Sequence, residues 1–320
     1  WANGSAVLKS PLSGSGKGIR FVRERLSESD EGWCRKTLAK QGSLIVERRF
    51  EIIKECAMLF ECHHEGIDFI GYSLFESRNG AYSRNIPASN EEIEEIIPAI
   101  EEKYGGIGVP EGRILTGGST GGWIAVALQL FYPDFFGGSW PGFADSLDFH
   151  GYQLADLYND DNVYKSENGW CSIERPGARD VRGNVLWTMR DEHYYELAIG
   201  GDLAHGMGQY GIYQAVFSPC GEDGYPLNAY DPISGEINKD VVAYWHDHYD
   251  LTAYLEEHHK ELVPKIKGKF HLRAGDMDNF YLNLGHYAFT DVLKKYRCGG
   301  YSVTFPRIGH DGNITIIEMM

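Results

Sequence analysis

Basic residues are in short supply. Thirty Lys and Arg stand against 46 Asp and Glu, for a formal net charge of -16 over 320 residues. Such a chain repels phosphate backbones and anionic headgroups, which excludes nucleic acid as a partner class and argues against docking on acidic membranes. Apolar runs are short. None approaches the roughly 20 residues that a membrane-spanning helix needs, so no membrane span is expected. Cysteine is sparse: six residues, irregularly spaced and with no CxxC pair. Ordinary thiols are therefore expected, not a disulfide framework. The histidine-rich stretches, Glu61 to Glu65 and His246 to His248, lack zinc-ligand spacing and read as solvated polar faces. No metal and no cofactor is expected. Gly14-Ser15-Gly16-Lys17-Gly18 falls short of a phosphate loop, because Pro11 stands where the first glycine belongs and Gly18 where Ser or Thr must follow the lysine. The chain opens on Trp1 and has no secretory apolar segment, so the sequence sets no compartment. It sets no oligomeric state either.

What is present is a chain with 42% hydrophobic and 13% aromatic residues, enough for a large core and a ring-lined pocket. Residues 1–20 are Gly- and Ser-rich and read as a loose lead-in. In 21–65 a short strand is expected at 44–46 and a helix at 48–60, followed by a strand at 67–75. A helix opens at a capping box, Ser89 with Glu92, and its stripe Ile93, Ile96, Ile97, Ile100 and Tyr104 runs on one face, with Pro98 as a kink. Strands are expected at 113–116, 137–143, 269–274 and 301–308, and helices at 123–131, 249–262 and 280–296. The helix at 123–131 is apolar almost all round and reads as fully buried. Strands alternating with helices predict an α/β fold with a doubly wound, mostly parallel sheet. The polar and aromatic stretch 145–265 reads as a large insertion, and its rings at 149–170 suit either a pocket lining or a packed lid.

Gly117-Gly118-Ser119-Thr120-Gly121 lies between the strand at 113–116 and the helix at 123–131. A serine raised on so sharp a turn needs small neighbours two residues away on either side, and Gly117 and Gly121 meet that need. The Thr120 N–H and the helix N-terminus then face a developing oxyanion. A serine hydroxyl is a poor nucleophile until a base takes its proton. In strand-turn-helix hydrolases the chain order is Ser, then Asp or Glu, then His. Asp276 and Asp278 follow the strand at 269–274, and His310 follows the strand at 301–308. Asp278 fits a Gly-x-x-Asp turn from Gly275 and is the first choice for the acid. Asp276 is the second choice, or a brace for the turn.

Thr116 to Trp123, followed by Tyr132-Pro133-Asp134-Phe135-Phe136-Gly137-Gly138, resembles the esterase family that includes esterase D, feruloyl esterases and mycolyltransferases. Closer still is its likeness to a branch of uncharacterised bacterial α/β-hydrolases. Ala215 to Pro219 with Gly221 to Pro226, Asp231-Pro232 with Gly235, and Gly275 to Asp278 with Phe280-Tyr281-Leu282 extend the likeness over 88–312. The resemblance implies one α/β-hydrolase domain over 1–320, with a divergent part at 1–65 and the 145–265 insertion as a lid before the acid-bearing strand. It implies a Ser119–Asp278–His310 triad and cofactor-free acyl chemistry on a small-molecule or carbohydrate-linked ester. Acyl transfer by the same triad, or a non-catalytic binding protein, are the alternatives. The family draws a second oxyanion N–H from a glycine-containing loop near the amino terminus. The first 65 residues carry no His-Gly or Gly-Gly run of that kind, so this donor is unassigned.

Overall fold

In the computed structural model, residues 5–11, 18–23, 25–48, 55–63, 66–78, 81–86, 101–167, 169–202 and 208–310 are described. They group into two compact units, Trp1–Tyr104 and Gly105–Met320.

The first unit is antiparallel. Ser5–Lys9 (β1) pairs with Ile19–Arg23 (β2) on one side and with Ile45–Arg48 (β3) on the other. Within the expected loose lead-in, residues 5–9 and 19–20 are thus paired strand, and Val7 and Leu8 are buried. Between β2 and β3 lies Glu28–Gln41 (α1), which opens on a capping box of Ser27 with Asp30 and closes on left-handed Gly42. A second sheet runs Glu55–His63 (β4), Gly66–Arg78 (β5) and Ala81–Ile86 (β6), each strand antiparallel to the next. The helix expected at 48–60 is therefore overturned: 55–60 is strand. A short apolar run does not distinguish helix from strand by its own period, and the long partner β5 decides it. The capped helix from Ser89 lies outside the described residues up to 100; residues 101–104 are helical.

The second unit is mixed α/β around a four-stranded parallel sheet. Its elements are Ile114–Gly118 (β7), Thr120–Phe131 (α2), Gly138–Gly142 (β8), four short strands Lys165–Glu167 (β9), Ser172–Glu174 (β10), Pro176–Arg179 (β11) and Val185–Thr188 (β12), then Met189–Gly200 (α3), Gln209–Phe217 (α4), Lys239–Tyr249 (α5), Leu251–Ile266 (α6), His271–Gly275 (β13), Asn283–Lys295 (α7) and Tyr301–Phe305 (β14). The sheet order is β14-β13-β8-β7, and every pairing is parallel. Alternation along β13 turns Leu272 and Ala274 inward. There Leu272 joins Val126, Leu130, Leu255, Ile266 and Phe289 in one apolar cluster, so that α2, α6 and α7 share a face of the sheet. The opposite face carries Trp140 stacked on His271 and, on β14, Tyr301 and Val303, both exposed. Ile124 is 47% exposed, so α2 is not buried all round.

Of the stretch 145–265, α6 belongs to the sheet's own core. The remainder builds a second core of rings around Phe149, Tyr152, Tyr164, Tyr230 and Trp245. His193 sits inside it, stacked on Tyr210 at 4.0 Å, with its Nδ1–H donating to the Met189 carbonyl at 2.5 Å and its Nε2 accepting from the Tyr230 hydroxyl at 2.7 Å. Burial lowers its pKa to about 4. In the sheet core His286 meets Ser302 at 2.9 Å, and burial first, then the charge of Lys294, lowers it likewise to about 4. An unfolded imidazole charges below about pH 6.5, whereas these stay neutral when folded. Each therefore withdraws stability as pH falls from about 6.5 toward 4. At about pH 5, where an ordinary histidine is charged, imidazole nitrogen shifts should report both rings as neutral. A charged resonance for either at that pH would contradict the burial described here.

Candidate active site

The carboxyl ends of β7, β8, β13 and β14 converge, as the open edge of a parallel sheet dictates, and the chemistry-bearing side chains collect there. Ser119 follows β7 directly. Its backbone lies at φ 57° and ψ -125°, a strained position for a residue with a side chain. Three hydrogen bonds help hold that turn: the Ser119 N–H donates to the carbonyls of Gly142 and Phe143, both at 3.1 Å, and the Ser119 carbonyl accepts from Gly122 N–H at 2.8 Å. The Thr120 N–H, in the first turn of α2, finds no acceptor among the described residues.

The glycines divide differently from the expected pattern. A Cβ at Gly117 would stand 2.2 Å from the Gly121 carbonyl oxygen, so strand and helix meet only because residue 117 has no side chain. A Cβ at Gly122 would press on Ala144 at 2.9 Å. At Gly121, by contrast, nothing lies within 4 Å of that position, so its role is to present a carbonyl to Gly117, and it has room for a methyl group.

Asp278 and His310 arrive from the neighbouring strands. Gly275 ends β13 so close to the following loop that a Cβ there would lie 2.1 Å from the Ile308 carbonyl oxygen. The acid turn then folds back. Asp278 is 1% exposed; its Oδ1 accepts the N–H groups of Phe280 at 2.9 Å and Leu282 at 3.2 Å. Its Oδ2 takes the Nδ1–H of His310 at 2.8 Å, and His310 Nε2 accepts the Ser119 hydroxyl at 2.9 Å. Asp276 does not reach the imidazole: its Oδ1 takes the Arg307 N–H at 2.6 Å and braces the turn that carries His310. Asn279 completes the frame by accepting the His310 N–H at 2.9 Å. Phe143 and Phe280 set ring edges against the imidazole at 6.2 and 5.4 Å.

Two participants are absent from the sequence reading. Arg179, at the end of β11 in the insertion, donates to the carbonyls of Asp278 at 2.9 Å and Asp276 at 3.1 Å and to Asn283 Oδ1 at 3.2 Å, while its guanidinium lies over the Tyr281 ring. Asp145, just past β8, accepts the Ser119 hydroxyl at 3.1 Å and the Thr120 hydroxyl at 2.7 Å. Burial raises its pKa above the ordinary carboxylate value. The sequence does hold a signal for Asp145, since a polar residue following a strand of a parallel sheet falls in the crevice at its carboxyl edge. Strain concentrates here as well: of the six described residues other than glycine with positive φ, Ser119, Phe143, Gln153, Tyr281 and Arg307 lie in or beside this site. A cavity of about 220 Å³ opens over Ser119 and His310.

His246 and His248 are engaged locally, with Asp247 and with the Tyr244 carbonyl. Cys34, Cys220 and Cys298 are free thiols. Among the described residues no helix is long and apolar enough to cross a membrane. Comparison with protein-family models finds none that matches the chain, and comparison with curated proteins finds no match.

The unequal glycines give a direct test of the turn. Gly117→Ala should destabilise the protein by about 1–3 kcal/mol, as overpacking does, and disorder the Ser119 turn. Gly121→Ala should instead raise stability by about 1 kcal/mol, the helix-propensity difference. Denaturant melts of the two variants check this, and a reversed ranking would refute the close approach at residue 117.

Proposed function

We propose that the protein is a serine hydrolase of the α/β-hydrolase type, akin to the esterase D and feruloyl esterase family, and that it cleaves a carboxylic ester through an acyl-enzyme. The observation that carries this is the unbroken hydrogen-bonded run from Ser119 Oγ to His310 Nε2, 2.9 Å, and from His310 Nδ1 to Asp278 Oδ2, 2.8 Å. An isolated serine, histidine or aspartate would be an ordinary polar side chain. In this order they form a base aimed at a hydroxyl and an acid that fixes the tautomer of the base.

The chemistry follows from the geometry. As Ser119 Oγ attacks the ester carbonyl, its proton passes to His310 Nε2. Buried Asp278 stabilises the imidazolium and keeps the other ring proton on Nδ1. The carbonyl oxygen gains negative charge and faces the Thr120 N–H at the amino end of α2, where the helix dipole adds to the attraction. Collapse breaks the ester C–O bond, and the Nε2 proton leaves with the alcohol. Water, deprotonated by the same nitrogen, then releases the acid and restores Ser119. Reaction in the presence of an added alcohol separates hydrolysis from acyl transfer, since only transfer yields a new ester.

A fluorophosphonate needs an activated serine. It should label the wild type at Ser119, and Ser119→Ala should lose both the label and turnover, the latter by a factor of roughly 10⁵ to 10⁶. Retention of a tenth of the ester turnover by this variant would exclude Ser119 as nucleophile, and an unlabelled wild type would favour a non-catalytic binding protein.

The two acids separate by function. Asp278→Asn keeps the shape but favours the wrong imidazole tautomer, and turnover should fall by about 10⁴. Asp276→Asn loses one brace, and should cost about 1 kcal/mol of stability with turnover little changed. Steady-state rates and melting curves on both variants make the comparison; the opposite ranking would move the acid to Asp276.

A further inference from the structure

The Ser119 hydroxyl has one proton and two acceptors, His310 Nε2 at 2.9 Å and Asp145 Oδ1 at 3.1 Å. An ionised carboxylate at that distance opposes ester cleavage twice. It competes with His310 for the proton, and it repels the oxyanion that forms two bonds from Oγ. Asp145 is held in place regardless, 7% exposed, by the Thr120 hydroxyl at 2.7 Å and through its own N–H to the Ser119 carbonyl at 3.2 Å. Among the described residues lining the cavity there is no Lys or Arg to offset it; the second charged group is another acid, Glu192. One Glu192 oxygen takes the Trp187 indole N–H at 2.7 Å, which leaves its other oxygen for a ligand. The wall also presents Gln153, 7% exposed and left-handed at φ 51°. Its Oε1 accepts the Tyr210 hydroxyl, which fixes the amide in the cavity wall.

Resting on the esterase reading above, we propose that the substrates are α-aminoacyl esters, with the protonated α-amine of the acyl group seated on Asp145. The carbonyl carbon under attack and the α-nitrogen are two bonds apart, about 2.5 Å. That nitrogen therefore travels with the reacting carbon and lies close enough to Ser119 Oγ for an oxygen 3.1 Å from Oγ to accept its N–H at charge-assisted distance. The ammonium resolves both conflicts. It gives Asp145 a donor, so the single Ser119 proton goes to His310, and it places positive charge beside the oxyanion. The Tyr152 and Tyr210 rings of the cavity wall favour a cation further. The amine itself is unchanged by the reaction: water is consumed, the ester C–O bond breaks, and the products are the amino acid and the alcohol.

The ethyl esters of alanine, lactic acid and 2-methylpropanoic acid are near-isosteric and differ at one position, ammonium, hydroxyl or methyl. Values of kcat/KM, each divided by the rate of hydroxide hydrolysis of the same ester, remove their intrinsic reactivity. At neutral pH, where most of an α-amine is still protonated, the alanine ester should lead the methyl compound by at least about tenfold, as a charged hydrogen bond predicts. Asp145→Asn should erase most of that ratio and Asp145→Glu should keep part of it. The wild-type series stands alone if either variant fails to fold. A lactate ester equal to the alanine ester, a methyl compound equal to both, or a ratio unchanged in Asp145→Asn would overturn the proposal. If none of the three esters turns over while fluorophosphonate still labels Ser119, the α-aminoacyl class is wrong and the serine hydrolase stands; if Ser119 is not labelled either, the reading beneath it falls.

Discussion

A hydroxyl can be raised above the edge of a sheet only if the chain turns from strand to helix within one residue. A turn that sharp drives the two backbones together, and the point of collision here is residue 117 against the carbonyl of Gly121, where a Cβ would lie 2.2 Å from the oxygen. Everything else at the site is arranged around the serine which that contact lifts. The Ser119 N–H anchors to the end of β8, the adjacent strand, and its carbonyl receives the N–H of Asp145 from beyond that strand. The acid and the imidazole approach from the next two strands in sheet order, β13 and β14, and the hydrogen-bonded run passes from Ser119 to His310 beyond β14 and back to Asp278 beyond β13.

The parts of this arrangement legible in the sequence are the local ones. An apolar strand, a glycine run and an apolar helix are contiguous at 114–131, so their pattern is undisturbed by distant partners. The positions of Asp278 and His310 were readable because each directly follows a recognisable strand. The choice of Gly121 as a steric requirement was not sound, because which backbone atoms collide depends on how the helix leaves the turn. Gly122, packed on Ala144, is the tighter position. The amino-terminal unit was largely illegible. Its helix Glu28–Gln41 buries only Thr37 and has no apolar stripe to reveal it, and its strands declare themselves through antiparallel partners. Asp145 and Arg179 act across 26 and about 100 residues, a distance over which single-sequence periodicity carries no information.

Polar groups buried in this unit are satisfied mainly by one another. Tyr152, Tyr230 and His193 pass a hydrogen bond through the ring core to the Met189 carbonyl, and Glu196 caps α4 by accepting the N–H groups of Tyr210 at 3.0 Å and Gly211 at 2.8 Å. Such a network fixes where Tyr210 stands, and Tyr210 in turn holds the Gln153 amide at the cavity wall. Two rings of the lining are held in this way, Tyr152 by the Tyr230 hydroxyl behind it at 3.0 Å and Tyr210 by the Gln153 amide beside it.

Arg179 carries a consequence for how this chain can be altered. It belongs to the insertion that walls the cavity, yet its guanidinium grips the backbone of the turn that presents Asp278. Wall and acid are thus one mechanical piece. An engineer who exchanged the insertion for another, hoping to change only what the cavity admits, would also release the turn that presents Asp278 to His310. Loop grafting in this scaffold therefore has to carry an arginine at the end of β11, or its equivalent, across with every new wall.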